Sequence, residues 1–389
     1  MSGVGRNAAG DAGDTDPYSW FTDFNKNDFP PHTGAGAWGV QSVIDEPVAP
    51  TITSTGTASN TTQLEDALQT GGVRVTLTAD ISGFAGNFDI TDSEIVVPTG
   101  TRLLSPIFGG GSGTVTRLLI RGDTLGTYGG GQIHNLWLFG TGTDFVVDGL
   151  SSSGAVDFSC MALGPAAGFD RVAITNCRLN SGGFGIGSTC GNIVVAGCSI
   201  LTGNDLAFPS ENDEAYGIRA YFESNGNVIV AHCDIRSNPN RATSSHARFR
   251  CHPDAGLEYV ALLKNRFVER VEHWIGWVDA AAGGGSGDAL AVFVDGNEVI
   301  SSGTGTDVGA DTPKLYGSDT AHAYIRNNVF KSDGFTSDSN IALSGSSSTT
   351  KSGNSYESLP GSDPAWSAAI SGTSVAPGAG DPSGIDWTP

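Results

Sequence analysis

Lysine is scarce in this chain. Five lysines and 15 arginines face 41 acidic residues, 30 of them Asp, for a net charge of −21. So acidic a surface is a poor binder of nucleic acid, and no nucleic-acid partner is expected. No apolar stretch approaches the ~20 residues of a membrane span, so membrane insertion is not expected. The opening segment, MSGVGRNAAGDAGDTDPYSWF, is polar and lacks the apolar core of a signal peptide. There is no G-x-x-x-x-G-K-S/T, no H-E-x-x-H and no G-x-S-x-G, which leaves phosphate-loop, zincin and hydrolase-elbow chemistry without a motif. There is no C-x-x-C. Cys160, Cys177, Cys190, Cys198, Cys233 and Cys251 are therefore read as buried free thiols rather than a disulfide frame or a metal site.

What the chain has is a repeat. RVAITNCRLNSG (171–182), NIVVAGCSILTG (192–203), NVIVAHCDIRSN (227–238), YVALLKNRFVER (259–270), AVFVDGNEVISS (291–302) and AYIRNNVFKSD (323–333) share one pattern. A short alternating β run reaches a Cys or Asn, and a second run starts just beyond it. Those residues are Cys177, Cys198, Cys233, Asn265, Asn297 and Asn328, with gaps of 21, 35, 32, 32 and 31. Strand repeats of this period predict a solenoid, because one unit is too short to bury a core alone. Alternation places Val172, Ile174, Leu179, Ile193, Val195, Ile200, Val228, Val230 and Ile235 inward. The Cys/Asn position is expected at a bend, since Asn tolerates left-handed backbone and Cys is a small buried residue. Fainter units read SEIVVPTGTRLLS (93–105), TRLLIRGD (116–123), IHNLWLFG (133–140) and DFVVDGLS (144–151). The 56 glycines, with GGG at 109–111, 129–131 and 283–285, fit tight turns between strands.

Over about residues 61–345 the pattern resembles the right-handed parallel β-helix of the pectate-lyase-like superfamily, with its inward Asn stack. The resemblance implies an all-β, single-stranded solenoid. The superfamily includes polysaccharide lyases, glycosidases, epimerases and bacteriophage tailspikes, so the fold alone does not select a chemistry. Residues 1–58 read as a loop-rich arm carrying Tyr18, Trp20, Phe21, Phe24, Phe29 and Trp38, which pack on the solenoid or dock it to a larger particle. Residues 59–345 read as the β-helix. Thr62-Gln-Leu-Glu65 is a capping-box signal for a short helix closing its first end. Residues 346–389 read as a Ser/Gly/Pro-rich tail.

A site is expected on the strands that follow the longest loops: YGIRAYF (216–222), HARFRCH (246–252), HWIGWVD (273–279) and PKLYG (313–317). With Ile218, Phe249, Ile275 and Leu315 inward, the outward face gathers Arg219, Tyr221, Arg248, Arg250, His252, Trp274, Lys314 and Tyr316, with Trp277 nearby. Seven of the 15 arginines lie between 219 and 270. Arginine forks suit carboxylates and sulfates, and aromatic faces suit sugar rings, so the cluster reads as a groove for an acidic polysaccharide. The competing reading pairs these arginines with Asp205, Glu211, Asp213, Glu214, Glu269 and Glu272. Were there β-elimination from a uronic acid, Arg219, Arg248 or Arg250 would neutralise the carboxylate. His252, Lys314 or an Arg would take the proton, and Tyr221 would protonate the leaving oxygen. Ca²⁺ on Glu211, Asp213 and Glu214 is the alternative neutraliser. Hydrolysis would instead need two carboxylates among Glu211, Asp213, Glu214, Glu272 and Asp279.

The leading functional expectation is a virion-associated spike, fibre or decoration protein that binds, and in one form depolymerises, acidic host-surface polysaccharide. It would contact virion proteins through the N-terminal arm, and a homotrimer is implied by the tailspike resemblance. The alternatives are a free, extracellular polysaccharide lyase and a purely structural β-helix.

Overall fold

A computed structural model describes residues 47–126, 128–134, 136–153, 159–163, 168–180, 182–186, 192–201, 215–220, 225–236, 245–251, 256–269, 274–279, 291–301, 314–318, 322–331, 337–344 and 348–358. Across these residues the protein is all-β, with long parallel sheets and one α-helix. Strands are dealt to the sheets in rotation along the chain. The first sheet holds twelve described strands, from Ser54–Ala58 to Ser348–Ser352. The second holds eleven, from Ile81–Ser82 to Ser355–Glu357. The third holds seven, from Ala85–Gly86 to Ser245–Cys251. Beside its last strand lies a three-stranded sheet of Trp274–Asp279, Lys314–Ser318 and Ile341–Ser344. Each sheet thus takes every third strand, an arrangement compatible with a parallel β-helix.

Alternation along the strands builds the core. Val172, Ile174, Leu179, Ile193, Val195, Ile200, Val228, Val230 and Ile235 are all buried in one cluster, as their period-two spacing predicts. It runs from Ala58 to Phe330, with Phe84, Phe108, Phe145 and Phe169 in contact along it. A second apolar cluster lies on the opposite face of the first sheet. Leu119, Val146, Ala173, Val194, Ile229, Ala261 and Phe293 occupy one register column across seven strands.

The repeated Cys/Asn positions form one stack, and their side chains run a hydrogen-bond ladder. Asn265 Oδ1 accepts from Cys233 N at 2.9 Å, and Asn297 Oδ1 accepts from Asn265 N at 2.8 Å. Asn328 Oδ1 then accepts from Asn297 N at 2.9 Å. Each Asn Nδ2 donates backward to a strand carbonyl: Asn265 to Val230, Asn297 to Leu262 and Asn328 to Val294. The thiols stand in for these amides. Cys177, Cys198 and Cys233 each lie against the carbonyl two residues before them and a carbonyl one repeat earlier. All three are free and buried.

The left-handed residue of the bend differs from expectation. It is the residue before the stack: Asn176, Gly197, His232, Lys264, Gly296 and Asn327 have φ of 52, 62, 53, 52, 69 and 55°. The stack residue is left free to turn its side chain inward. The helix start also differs. Helix Thr61–Thr70 is capped by Asn60, whose Oδ1 accepts from Gln63 N at 3.0 Å, while Gln63 Oε1 accepts from Ser59 N at 2.8 Å. The expected Thr62 and Glu65 already lie inside the helix, because Asn is the stronger cap. The helix buries Leu64 and Leu68 in the core cluster.

The sheets run past residue 345. Ser348–Ser352 and Ser355–Glu357 pair in parallel with His322–Arg326 and Val329–Lys331, and Asn354 Oδ1 accepts from Asn328 N at 3.1 Å. Asn354 thus adds one more rung to the stack.

Candidate functional site: a basic column on the third sheet

Each arginine of the first sheet meets an acid on a neighbouring strand, and in the second sheet Arg266 does so too, whereas Arg236 pairs with Asp234 of its own strand and Arg178 lies over the Tyr128 ring. Arg117 pairs with Asp92, Arg171 with Asp144, Arg266 with Glu298 and Arg326 with Asp295, at 2.6, 2.6, 2.8 and 2.6 Å. Each pair spans one ladder step, the distance at which cross-strand charges interact most strongly. Glu298 also takes Lys331 from its other side, at 2.5 Å. The RGD at 121–123 is absorbed in the same way. Arg121 binds Glu94 at 2.6 Å, and Asp123 Oδ2 accepts from Thr99 N and Oγ1.

The register of the third sheet differs from that of the first. Arg219, in strand Ala215–Ala220, is in register with Arg250, in strand Ser245–Cys251. Its partner on the other side is Gly185. Base therefore sits opposite base, with no acid in the next rung on either flank of Arg219. Followed backward, the same column reads Gly185, Ala162, Trp137 and Ile107. At Trp137 this column faces away from the core, since Leu136 and Leu138 on either side are buried in it. Trp137 is half-buried and stacks on Phe139, with centroids 5.8 Å apart and planes 7° from parallel.

The registers expected from sequence can be followed strand by strand. Ile218 pairs with Phe249, and Ile275 with Leu315. Trp274 is in register with Lys314, and Gly276 with Tyr316. Two irregularities were not foreseen. Between Tyr216 and Ile218 the facing strand inserts an extra residue, so Ala247 and Arg248 together oppose Gly217. Trp277 is likewise the extra residue between the Gly276–Tyr316 and Val278–Gly317 rungs. Bulges re-aim side chains and recur beside functional sites. The Gly preceding Trp277 was the available signal, because Gly within a strand often marks a bulge. Trp137 was missed because its segment, IHNLWLFG, was read as one bend unit. It is divided between the second sheet (Gln132–His134) and the third (Leu136–Leu138).

Tyr221, His252, Glu211, Asp213 and Glu214 lie outside the described residues, as do Asp205 and Glu272. Among the described residues no group of three His, Cys, Asp or Glu side chains is placed to hold a metal ion, and no helix is long and apolar enough to cross a membrane.

Comparison with protein-family models, with curated proteins and with solved structures finds no match to this chain.

Proposed function

We propose that the chain is a right-handed parallel β-helix of the pectate-lyase-like type whose third face binds an acidic polysaccharide, and that it serves as a virion-associated host-attachment protein. One observation carries this reading: Arg219 and Arg250 are neighbours on one ladder, in a protein whose first sheet sets an acid beside each of Arg74, Arg117, Arg121, Arg171 and Arg326. Like charges opposite each other destabilise a sheet, and a bound carboxylate or sulfate relieves that repulsion by bridging two guanidinium forks. A repeating acidic glycan matches a repeating scaffold. Aromatic residues in neighbouring strands, Trp274 and Tyr316, suit the apolar faces of sugar rings. Attachment to virion proteins through residues 1–58, and a homotrimer, belong to the same proposal and rest on the resemblance to tailspikes.

The test is binding of polygalacturonate, alginate and a neutral dextran by calorimetry, for the parent chain and for Arg219→Ala/Arg250→Ala. The parent should bind a uronate polymer and not dextran. The double variant should lose at least 100-fold in affinity, as charge-assisted contacts contribute about 1.5–3 kcal/mol each. A double variant with unchanged melting that binds equally well would refute the site. Parent protein that binds no acidic polymer would favour the purely structural reading. Absorbance of unsaturated uronate, followed with and without Ca²⁺, separates a lyase from a binding protein.

A further inference from the structure

Around Trp137 the first three sheets present different exteriors. The first carries the ion pairs of Arg117 with Asp92 and Arg171 with Asp144. The second carries Gln132 and His134, which flank the buried Ile133, and Arg102 held by Asp80. The third carries Ile107, Trp137 and Phe139, all half-buried, beside the core residues Phe108, Leu136 and Leu138. Ile107 is in register with Trp137, and Phe139 stacks on the indole. An apolar patch rimmed by polar surface is a mark of a binding surface.

The backbone holds this patch rigidly. Trp137 N donates to Pro106 O at 3.0 Å, and Phe139 N to Phe108 O at 2.8 Å. A Cβ on Gly109 would lie 2.0 Å from the Phe139 carbonyl oxygen, and one on Gly140 would lie 2.3 Å from the Gly109 oxygen. The chain beside Phe139 is thus packed backbone to backbone. Aromatic rings fixed in this way lose little freedom when a ligand docks on them.

The column of Trp137 leads to the arginine pair. Trp137 is in register with Ala162, Ala162 with Gly185, Gly185 with Arg219 and Arg219 with Arg250. Arg219 is three ladder steps from Trp137, about 14–15 Å, and Arg250 is four, about 19–20 Å. No long side chain occupies the two intervening positions, and Gly within a strand often marks close approach by a ligand. Both arginine positions lie beyond a Debye length from Trp137, roughly 10 Å at 0.1 M salt. A carboxylate at Trp137 would gain little from them, in a protein of net charge −21. An uncharged sugar forfeits nothing there.

We infer, on the basis of the acidic-glycan reading above, that Trp137 determines the specificity of a second subsite on the third sheet. It takes the apolar face of an uncharged sugar, three to four ladder steps from the acidic sugar at Arg219 and Arg250. The ligand class is a glycan of mixed acidic and uncharged sugars, bound along the stacking direction of the strands. A single acidic sugar cannot reach both subsites, and a pure uronate polymer brings a charge to the wrong one.

The test is calorimetry with hyaluronan oligosaccharides, in which glucuronate alternates with N-acetylglucosamine, and with oligogalacturonates of equal length. For the parent chain, affinity for hyaluronan pieces should rise by about tenfold from disaccharide to octasaccharide and exceed that for the octagalacturonate. Trp137→Ala should lose about that factor for the octasaccharide and leave disaccharide binding unchanged. Trp137→Leu, which keeps apolar packing against Phe139, should lose as much, while Trp137→Tyr should recover most of it. Arg219→Ala/Arg250→Ala should instead lose affinity at every length. Equal octasaccharide binding by the parent and Trp137→Leu would overturn the subsite and leave the acidic-glycan reading standing. So would a parent chain that prefers octagalacturonate. A parent chain that binds neither series would overturn both.

Discussion

Asn297 and Asn328 are 31 residues apart in sequence and one rung apart in space. Asn328 Oδ1 accepts both Asn297 N–H, at 2.9 Å, and Asn297 Nδ2, at 3.0 Å. Asn297 in turn satisfies Asn265 N–H and the carbonyl of Leu262. Each amide thus serves the strand ends on both sides, within the buried core.

Removing one rung should therefore cost more than one hydrogen bond. Asn297→Ala orphans the Asn265 N–H and the Leu262 carbonyl, and should destabilise the fold by about 2–4 kcal/mol. Asn297→Cys restores the pattern found at Cys177, Cys198 and Cys233 and should cost roughly half as much. Guanidinium unfolding of the two variants against the parent measures both; equal losses would show that the ladder is not what the position needs.

The thiols of the stack should be inert in the native state. Burial pushes Cys177 and Cys198 well above the usual thiol range, and the thiolate is the reactive form. Iodoacetamide at pH 8 should leave Cys177, Cys198 and Cys233 unmodified until denaturant is added. Rapid native labelling of any of the three would contradict the packed stack.

Lys264 takes the left-handed position that Gly197 and Gly296 hold in other repeats, at φ 52°. Left-handed backbone strains any residue with a Cβ. Lys264→Gly should therefore stabilise the protein by about 0.5–1 kcal/mol, seen as a raised denaturation midpoint at unchanged slope. A lowered midpoint would mean that the exposed lysine side chain contributes more than its backbone strain costs.

The contact of Thr51 with Asp92 should be acid-sensitive. The guanidinium of Arg117 hydrogen-bonds Asp92 and holds its carboxyl down to about 2, with help from Thr51 N–H. A folded value below the unfolded ~3.9 means that the stabilisation is present above that unfolded value and is lost as pH falls through about 2. The pair is partly exposed, so the effect on global stability is small. The local effect is specific: the Thr51 amide resonance should titrate with a midpoint near 2, and Asp92→Asn should abolish that transition. A midpoint near 4 would place Asp92 outside the pair.

Much of the fold was legible from spacing alone. The period of the Cys/Asn positions, with period-two alternation before them, located the inward residues and the stack, because a strand has only two faces and a repeat must reuse the same one. The rungs Ile218–Phe249, Ile275–Leu315 and Arg219–Arg250 could be written down by aligning inward residues, since parallel register carries that alignment from strand to strand. Spacing could not show the bulges at Arg248 and Trp277, because an extra residue is a local departure from the very period being counted. Nor could it show that the left-handed residue precedes the stack. Asn fits both positions, and only the ladder of side-chain bonds tells them apart. Lateral charge pairing was invisible for a different reason: Asp144 and Arg171 are 27 residues apart and become neighbours only once the sheets are built. The same holds for the column joining Trp137 to Arg219 and Arg250. Local periodicity determined which side of a strand each residue takes, while the stacking of one repeat on the next decided which side chains meet there.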